Sequence, residues 1–216
     1  MSKKFFFKVT FLLDKKNLWF EKQLKSYDFK LNHKYTFKIS KNPNNVKNQN
    51  IVFPLSYTKI LPKSFLQKNE LVLIAHPSKL PKDKGFAPLQ YQILKNKKKI
   101  YISLIKAENE VDAGPIYFQN SFILDGTELI DEIRYIQGLE FLKIIKNFLI
   151  KYPNIKSKNQ SGKGNFNKRR YPKDSELNIN KTIKQQFNHL RINHNELYPS
   201  FFYFKGKKYI IKIFKG

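Results

Sequence analysis

Of the four histidines in the chain, His76 stands where an imidazole can do chemistry. It directly follows the apolar run Leu71–Ala75 (LVLIA) and precedes a loop rich in turn residues, Pro77 to Gly85 (PSKLPKDKG). An imidazole at the C-terminal end of a buried strand lies where open α/β sheets bind ligands, and it titrates near neutrality. A second constellation, Glu108-Asn-Glu-Val-Asp112-Ala-Gly114-Pro115, follows another apolar segment. If the two strands are neighbours, Asp112 projects into the same crevice as His76. The carboxylate would then orient the ring and favour its protonated form, making a proton-handling pair. The plainer readings are a histidine buried for packing and an aspartate that forms a turn beside glycine and proline. Spacing alone does not choose between them. His33 sits in a polar, turn-like segment, and His189 and His194 straddle a helix end without further ligands, so no metal site is expected. Neither GxGxxG nor GxxxxGK[ST] occurs, which leaves nucleotide-phosphate chemistry by those loops without support.

These residues need elements to hold them. Apolar or alternating runs predict strands over 5–13, 35–39, 51–55, 71–75 and 100–106, with 116–118 and 121–124 as a hairpin or edge. Helices are predicted around 18–27, 63–68, 88–94, 127–150 and 181–191. The longest has Leu129, Ile133, Ile136, Leu142, Ile145 and Leu149 at helical spacing, and Asp125 or Thr127 can cap it, with Glu128 completing a capping box. Tyr152-Pro153 ends it. Residues 155–168 are poor in apolar side chains and read as a flexible crossing, and order returns from Arg169, with a last strand over 209–214. Strands alternating with helices predict an α/β fold with a mostly parallel sheet.

Composition bounds the rest. The chain has 216 residues, a net charge of +26 and no cysteine. A hydrophobic content of 41% excludes a disordered chain, and the lack of cysteine excludes disulfides, thiolate nucleophiles and Cys-ligated metals. No apolar run is long enough to span a bilayer, and the N-terminal segment reads as a first strand, so a soluble, cytoplasmic protein is expected. The charge suggests a polyanionic partner, but only four of the 42 basic residues are arginine (Arg134, Arg169, Arg170 and Arg191). Solvated surface lysine accounts for most of it.

The segment from Ser56 to Tyr117 resembles the core of the formyltransferase family that uses N10-formyltetrahydrofolate. His76-Pro-Ser-Lys-Leu-Pro-Lys-Asp-Lys-Gly85 is similar to the family's H-P-S-x-L-P-x-x-x-G loop, and Asp112-Ala-Gly114 to its Asp-x-Gly loop. The tail RRYPKDSE, residues 169–176, and the aromatic stretch after it look like the segment that follows the catalytic domain in amino-sugar N-formyltransferases. One position departs from the pattern: the asparagine two residues before the histidine is Ile74 here, which donates no hydrogen bond.

The resemblance implies a Rossmann-like sheet with helices on both faces and a short C-terminal extension. It divides the chain into a catalytic domain over 1–153, a linker-like segment over 154–168 and a small C-terminal subdomain over 169–216. It implies transfer of a formyl group from N10-formyltetrahydrofolate to a primary amine, without a metal. His76, protonated, would stabilise the oxyanion, while Asp112 would hold the ring and move protons. Ile60, Leu61, Pro62, Glu110 and Val111 would contact the pterin, and Arg169 and Arg170 the substrate's phosphates. A nucleotide-linked amino sugar is the expected amine, because the 66 residues after Ile150 leave little room for a tRNA-binding domain. Methionyl-tRNA, a non-catalytic basic nucleic-acid-binding module and a catalytically retired interaction domain are the alternatives.

Overall fold

The computed structural model describes residues 6–15, 19–31 and 34–216; His33 lies outside them. A six-stranded sheet forms the centre. In chain order its strands are β1 (Phe7–Leu13), β2 (Tyr35–Ser40), β3 (Ile51–Leu55) and β4 (Leu71–His76). A two-residue strand β5 (Lys84–Gly85) lies outside the sheet, and β6 (Lys99–Lys106) and β7 (Ile116–Ile123) complete it, in the order β2-β1-β3-β4-β6-β7.

The first four strands run parallel, β6 runs against them, and β7 turns back again. The sheet is therefore mostly parallel, as expected. The antiparallel strand was not foreseen, because hydrophobic runs such as LVLIA and IYISLIK carry no direction. Residues 116–123 form one continuous edge strand with an irregularity opposite Leu104 and Ile105, not a hairpin.

Successive strand side chains face opposite sides. Val9, Phe11, Leu13, Phe53, Leu73 and Ala75 share one apolar cluster with Phe20 of α1 (Trp19–Ser26) and Leu89 and Ile93 of α3 (Pro88–Leu94). Phe141, Ile145 and Phe148 of α4 (Ile130–Lys151) belong to the same cluster. The alternate residues Leu12, Val52 and Val72 meet Phe65 of α2 (Lys63–Gln67) on the other side. Phe20, Phe53 and Phe148 are fully buried, each contributing about 1.5–3 kcal/mol of apolar burial.

Helix α4 begins three residues later than its predicted start. The Glu128 carboxylate accepts the Asp125 and Gly126 amides at 2.7 and 3.0 Å, closing a turn before the helix, while Glu132 accepts the Leu129 amide.

Residues 154–168 do not cross freely. Phe166–Asn167 forms β8, parallel to β5, and Lys158 exchanges backbone hydrogen bonds with Ile116. Helix α5 (Ile183–Arg191) then leads into a hairpin of β9 (Ser200–Phe204) and β10 (Lys207–Ile211). Its turn uses Lys205 and Gly206 at positive φ, 47° and 75°. Only the second half of this hairpin was predicted. The first half, SFFYF, sits on the far side of a lysine-glycine turn that is easily passed over.

Candidate active site

The parallel strands β1, β3 and β4 all end at one edge of the sheet, and a cleft of about 620 Å³ opens there. Its wall includes Ser56–Leu61 after β3 and His76 at the end of β4, together with Val111 and Asp112 from the loop after β6. The loop after β3 is held by Asp14, whose carboxylate accepts the Thr58 hydroxyl at 2.5 Å and the Thr58 amide at 3.3 Å.

His76 and Asp112 meet, although not by way of parallel strand ends. Because β6 runs antiparallel, its last residue, Lys106, lies opposite Leu73, three residues upstream of His76. The 107–115 loop must fold back to bring Asp112 to the ring. Asp112 itself has φ 53°, and Gly114 permits the return: a Cβ there would lie 1.8 Å from the Lys106 carbonyl oxygen. The result is an Asp112 Oδ1 that stands 3.4 Å from His76 Nδ1. Both residues are more than nine-tenths buried.

The other ring nitrogen is fixed. His76 Nε2 lies 3.0 Å from the backbone carbonyl of Asp83, which is only an acceptor, so Nε2 carries a proton. That leaves Nδ1 as the ring nitrogen that faces the Asp112 carboxylate. Asp112 Oδ2 accepts the Gly85 amide at 2.8 Å, which ties the two motif loops to each other. The 77–85 loop is secured from beneath as well. Gln92 donates to the Pro77 carbonyl at 2.7 Å, Ser103 to the Ser78 carbonyl at 2.7 Å and Gln119 to the Leu80 carbonyl at 2.9 Å.

Ile74 lines the cleft two residues before His76 on the same strand, so the hydrocarbon faces the space where an asparagine was expected from the resemblance. Ile60, Leu61 and Val111 also line it. Pro62 caps helix α2 outside the lining, and the exposed Glu110 side chain reaches toward Lys84, 3.7 Å away. The structure thus does not bring these two to the cleft, because the chain turns into a helix at the first and out to solvent at the second.

Arg169 and Arg170 both line the cleft, in different states. The exposed Arg169 guanidinium lies 5.5 Å from the Phe86 ring, whereas Arg170 donates to the Asp174 carbonyl at 2.8 Å. Sequence reasoning missed Arg134, which lines the same cleft beside Tyr198 and donates to its hydroxyl. The available signal was scarcity: three of the chain's four arginines line this cleft. The bonds from Gln160 and Asn165 to the two motif loops were missed too, because their segment has too few apolar residues to suggest order.

The formyl transferase family model matches residues 8–134, more than half of the chain. The chain belongs to the formyl transferase family. A methionyl-tRNA formyltransferase of Buchnera aphidicola is 30% identical over 117 residues, 52% of this chain and 36% of that protein. The chain thus spans about a third of the curated relatives it matches. In fold it is similar to a methionyl-tRNA formyltransferase from Clostridium thermocellum, with a TM-score of 0.80 at 21% identity, covering 97% of this chain and 100% of that one. It is also similar to a sugar N-formyltransferase from a Shewanella species, with a TM-score of 0.71 at 18% identity, covering 96% and 97%. Within the family match, the two motif loops are the ones that meet at His76 and Asp112.

Proposed function

We propose that this chain transfers a formyl group from N10-formyltetrahydrofolate to the primary amine of a phosphate-bearing substrate. The observation that carries the reading is the approach of Asp112 to His76 in a cleft walled by both family motif loops. The cleft's volume, about 620 Å³, suits a small-molecule donor, and Ile60, Leu61 and Val111 supply apolar wall for a pterin.

The neutral amine attacks the formyl carbon, and the carbonyl oxygen takes up negative charge. His76, protonated on Nδ1 and held at Nε2, supplies positive charge beside that oxygen. Asp112 accepts the proton that the amine nitrogen must lose and returns one to the departing N10. The carbon–nitrogen bond to folate breaks as the formamide forms, leaving tetrahydrofolate. The exposed Arg169, with the positive charge of Arg134 and Arg170 in the same wall, suits a substrate that carries phosphate.

Two amines meet this description. The aminoacyl end of methionyl-tRNA is the first reading. It is supported by the sequence relatives and by the net charge of +26. A methionyl-tRNA formyltransferase of similar fold, covered end to end by this chain, supports it as well. A nucleotide-linked amino sugar is the second, supported by the arginines in the cleft and by the sugar N-formyltransferase of similar fold.

The test is release of tetrahydrofolate from N10-formyltetrahydrofolate, with methionyl-tRNA and a panel of free and nucleotide-linked amino sugars as acceptors. Turnover on charged tRNA, with a KM that rises steeply with salt, supports the first reading. Turnover on one sugar supports the second, and silence on every amine overturns the proposal.

A further inference from the structure

The strongest signal at a variable position of the motif loop is Asp83, a buried aspartate whose carboxylate none of the chemistry above uses. It is 3% exposed and has φ 58°, a left-handed conformation that a non-glycine residue keeps only when its surroundings over-determine it. Those surroundings are specific. Its carboxylate receives the Lys95 ammonium at 2.6 Å and the Asn165 side-chain amide at 3.3 Å, with Lys97 at 3.5 Å. Its own amide donates to Asn165 Oδ1 at 3.0 Å, and the next amide, that of Lys84, to the Asn165 carbonyl at 3.0 Å. The carbonyl of this same residue is the one that holds His76 Nε2.

We propose that Asp83 is a positioning residue for His76. Its side chain, gripped by Lys95 and Asn165, fixes a left-handed turn whose carbonyl holds the ring proton on Nε2 and leaves Nδ1 to face Asp112. Two separate parts of the chain converge on this one side chain of the motif loop: the residues just after α3 and the segment before β8. Aspartate fits because it is among the few non-glycine residues that tolerate the left-handed region, and because a buried carboxylate needs the partners it has. The proposal rests on the reading that His76 acts in formyl transfer, but its structural half does not.

The experiment therefore has two readouts. Long-range 15N–1H NMR of the imidazoles reports which ring nitrogen bears the proton, and four histidines give a tractable spectrum. The unsubstituted protein should show His76 with its neutral-state proton on Nε2. Asp83→Ala should give a mixture of tautomers and lower kcat about tenfold to a hundredfold, while KM for donor and amine changes less than about twofold. Lys95→Met, altering a half-exposed partner, should move both readouts the same way by a smaller amount and keeps the test open if Asp83→Ala does not fold. A His76 tautomer unchanged in a folded variant overturns the proposal. A tautomer that responds in a protein inactive on every amine supports it while overturning the assigned function.

Discussion

The side-chain amide of Gln160 donates to the carbonyl oxygen of Asp112 at 2.8 Å and, through the same nitrogen, to that of Gly114 at 2.9 Å. A residue from a segment poor in apolar side chains thus holds the loop that brings a carboxylate to His76. Five residues further on, Asn165 holds Asp83. Order in the two motif loops depends on polar bonds from a stretch that has no hydrophobic pattern of its own.

The proton-handling pair is the first thing to test. His76→Gln and Asp112→Asn should each lower kcat about a hundredfold or more while the protein stays folded, since general acid–base catalysis typically contributes about 10²–10⁴ in rate. Steady-state tetrahydrofolate release, beside a thermal melt of each variant, checks this. Unchanged turnover in either variant would remove that residue from the mechanism.

Ile74 leaves the cleft without the donor that the family resemblance places there. Ile74→Asn should raise kcat about tenfold if its amide reaches the oxyanion, against a usual loss of about 10²–10³ when such a donor is removed. A melting temperature lowered by the loss of a partly buried hydrocarbon should accompany it. Comparison of kcat for the two proteins decides; a lower kcat would mean that this branch relies on a dry wall at that position.

Arg169 is the exposed cation of the arginine pair, and Arg170 is engaged with Asp174. Arg169→Ala should raise KM for the amine substrate about three- to tenfold, the scale of one ordinary hydrogen bond at a solvent-exposed site, with kcat and donor KM nearly unchanged. Arg170→Ala should instead lower the melting temperature. Paired kinetic and melting measurements separate the two roles.

The two motif glycines are needed for space. At Gly85, φ is 87° and a Cβ would lie 2.5 Å from the Phe166 ring and 2.7 Å from the Asn167 carbonyl. Gly85→Ala and Gly114→Ala should each cost about 1–3 kcal/mol in stability, the scale of imposed backbone strain, and lower kcat by displacing the Gly85–Asp112 contact. Chemical denaturation with parallel assays measures both effects.

His189 gives a pH dependence separate from the active site. Burial holds it below its ordinary value near 6.5, and its Nε2 lies 2.6 Å from the Asp174 carbonyl. The unfolded chain binds this proton more readily than the folded one. The stabilisation is therefore complete above the ordinary value and lost as pH falls toward the folded one. Melting temperatures measured between pH 7.5 and pH 5, a window set by that shift, should fall less in His189→Phe than in the parent protein. Equal slopes would show that His189 does not contribute.

The sequence by itself determined the strands β1 to β4, the long helix α4, and the two loops that carry His76 and Asp112. Apolar runs, helical spacing and short motifs are local properties, written in consecutive residues. Only the tertiary structure decided that β6 runs antiparallel, so that the Asp112 loop must fold back across three residues of β4 to reach the ring. It alone decided that Arg134 joins Arg169 and Arg170 in one cleft, and that Gln160, Asn165 and Asp83 fix the loops. These contacts join polar residues up to 82 positions apart in the chain. Hydrogen bonds of that kind leave no periodic trace in a sequence, because they form only after hydrophobic burial has brought the partners together.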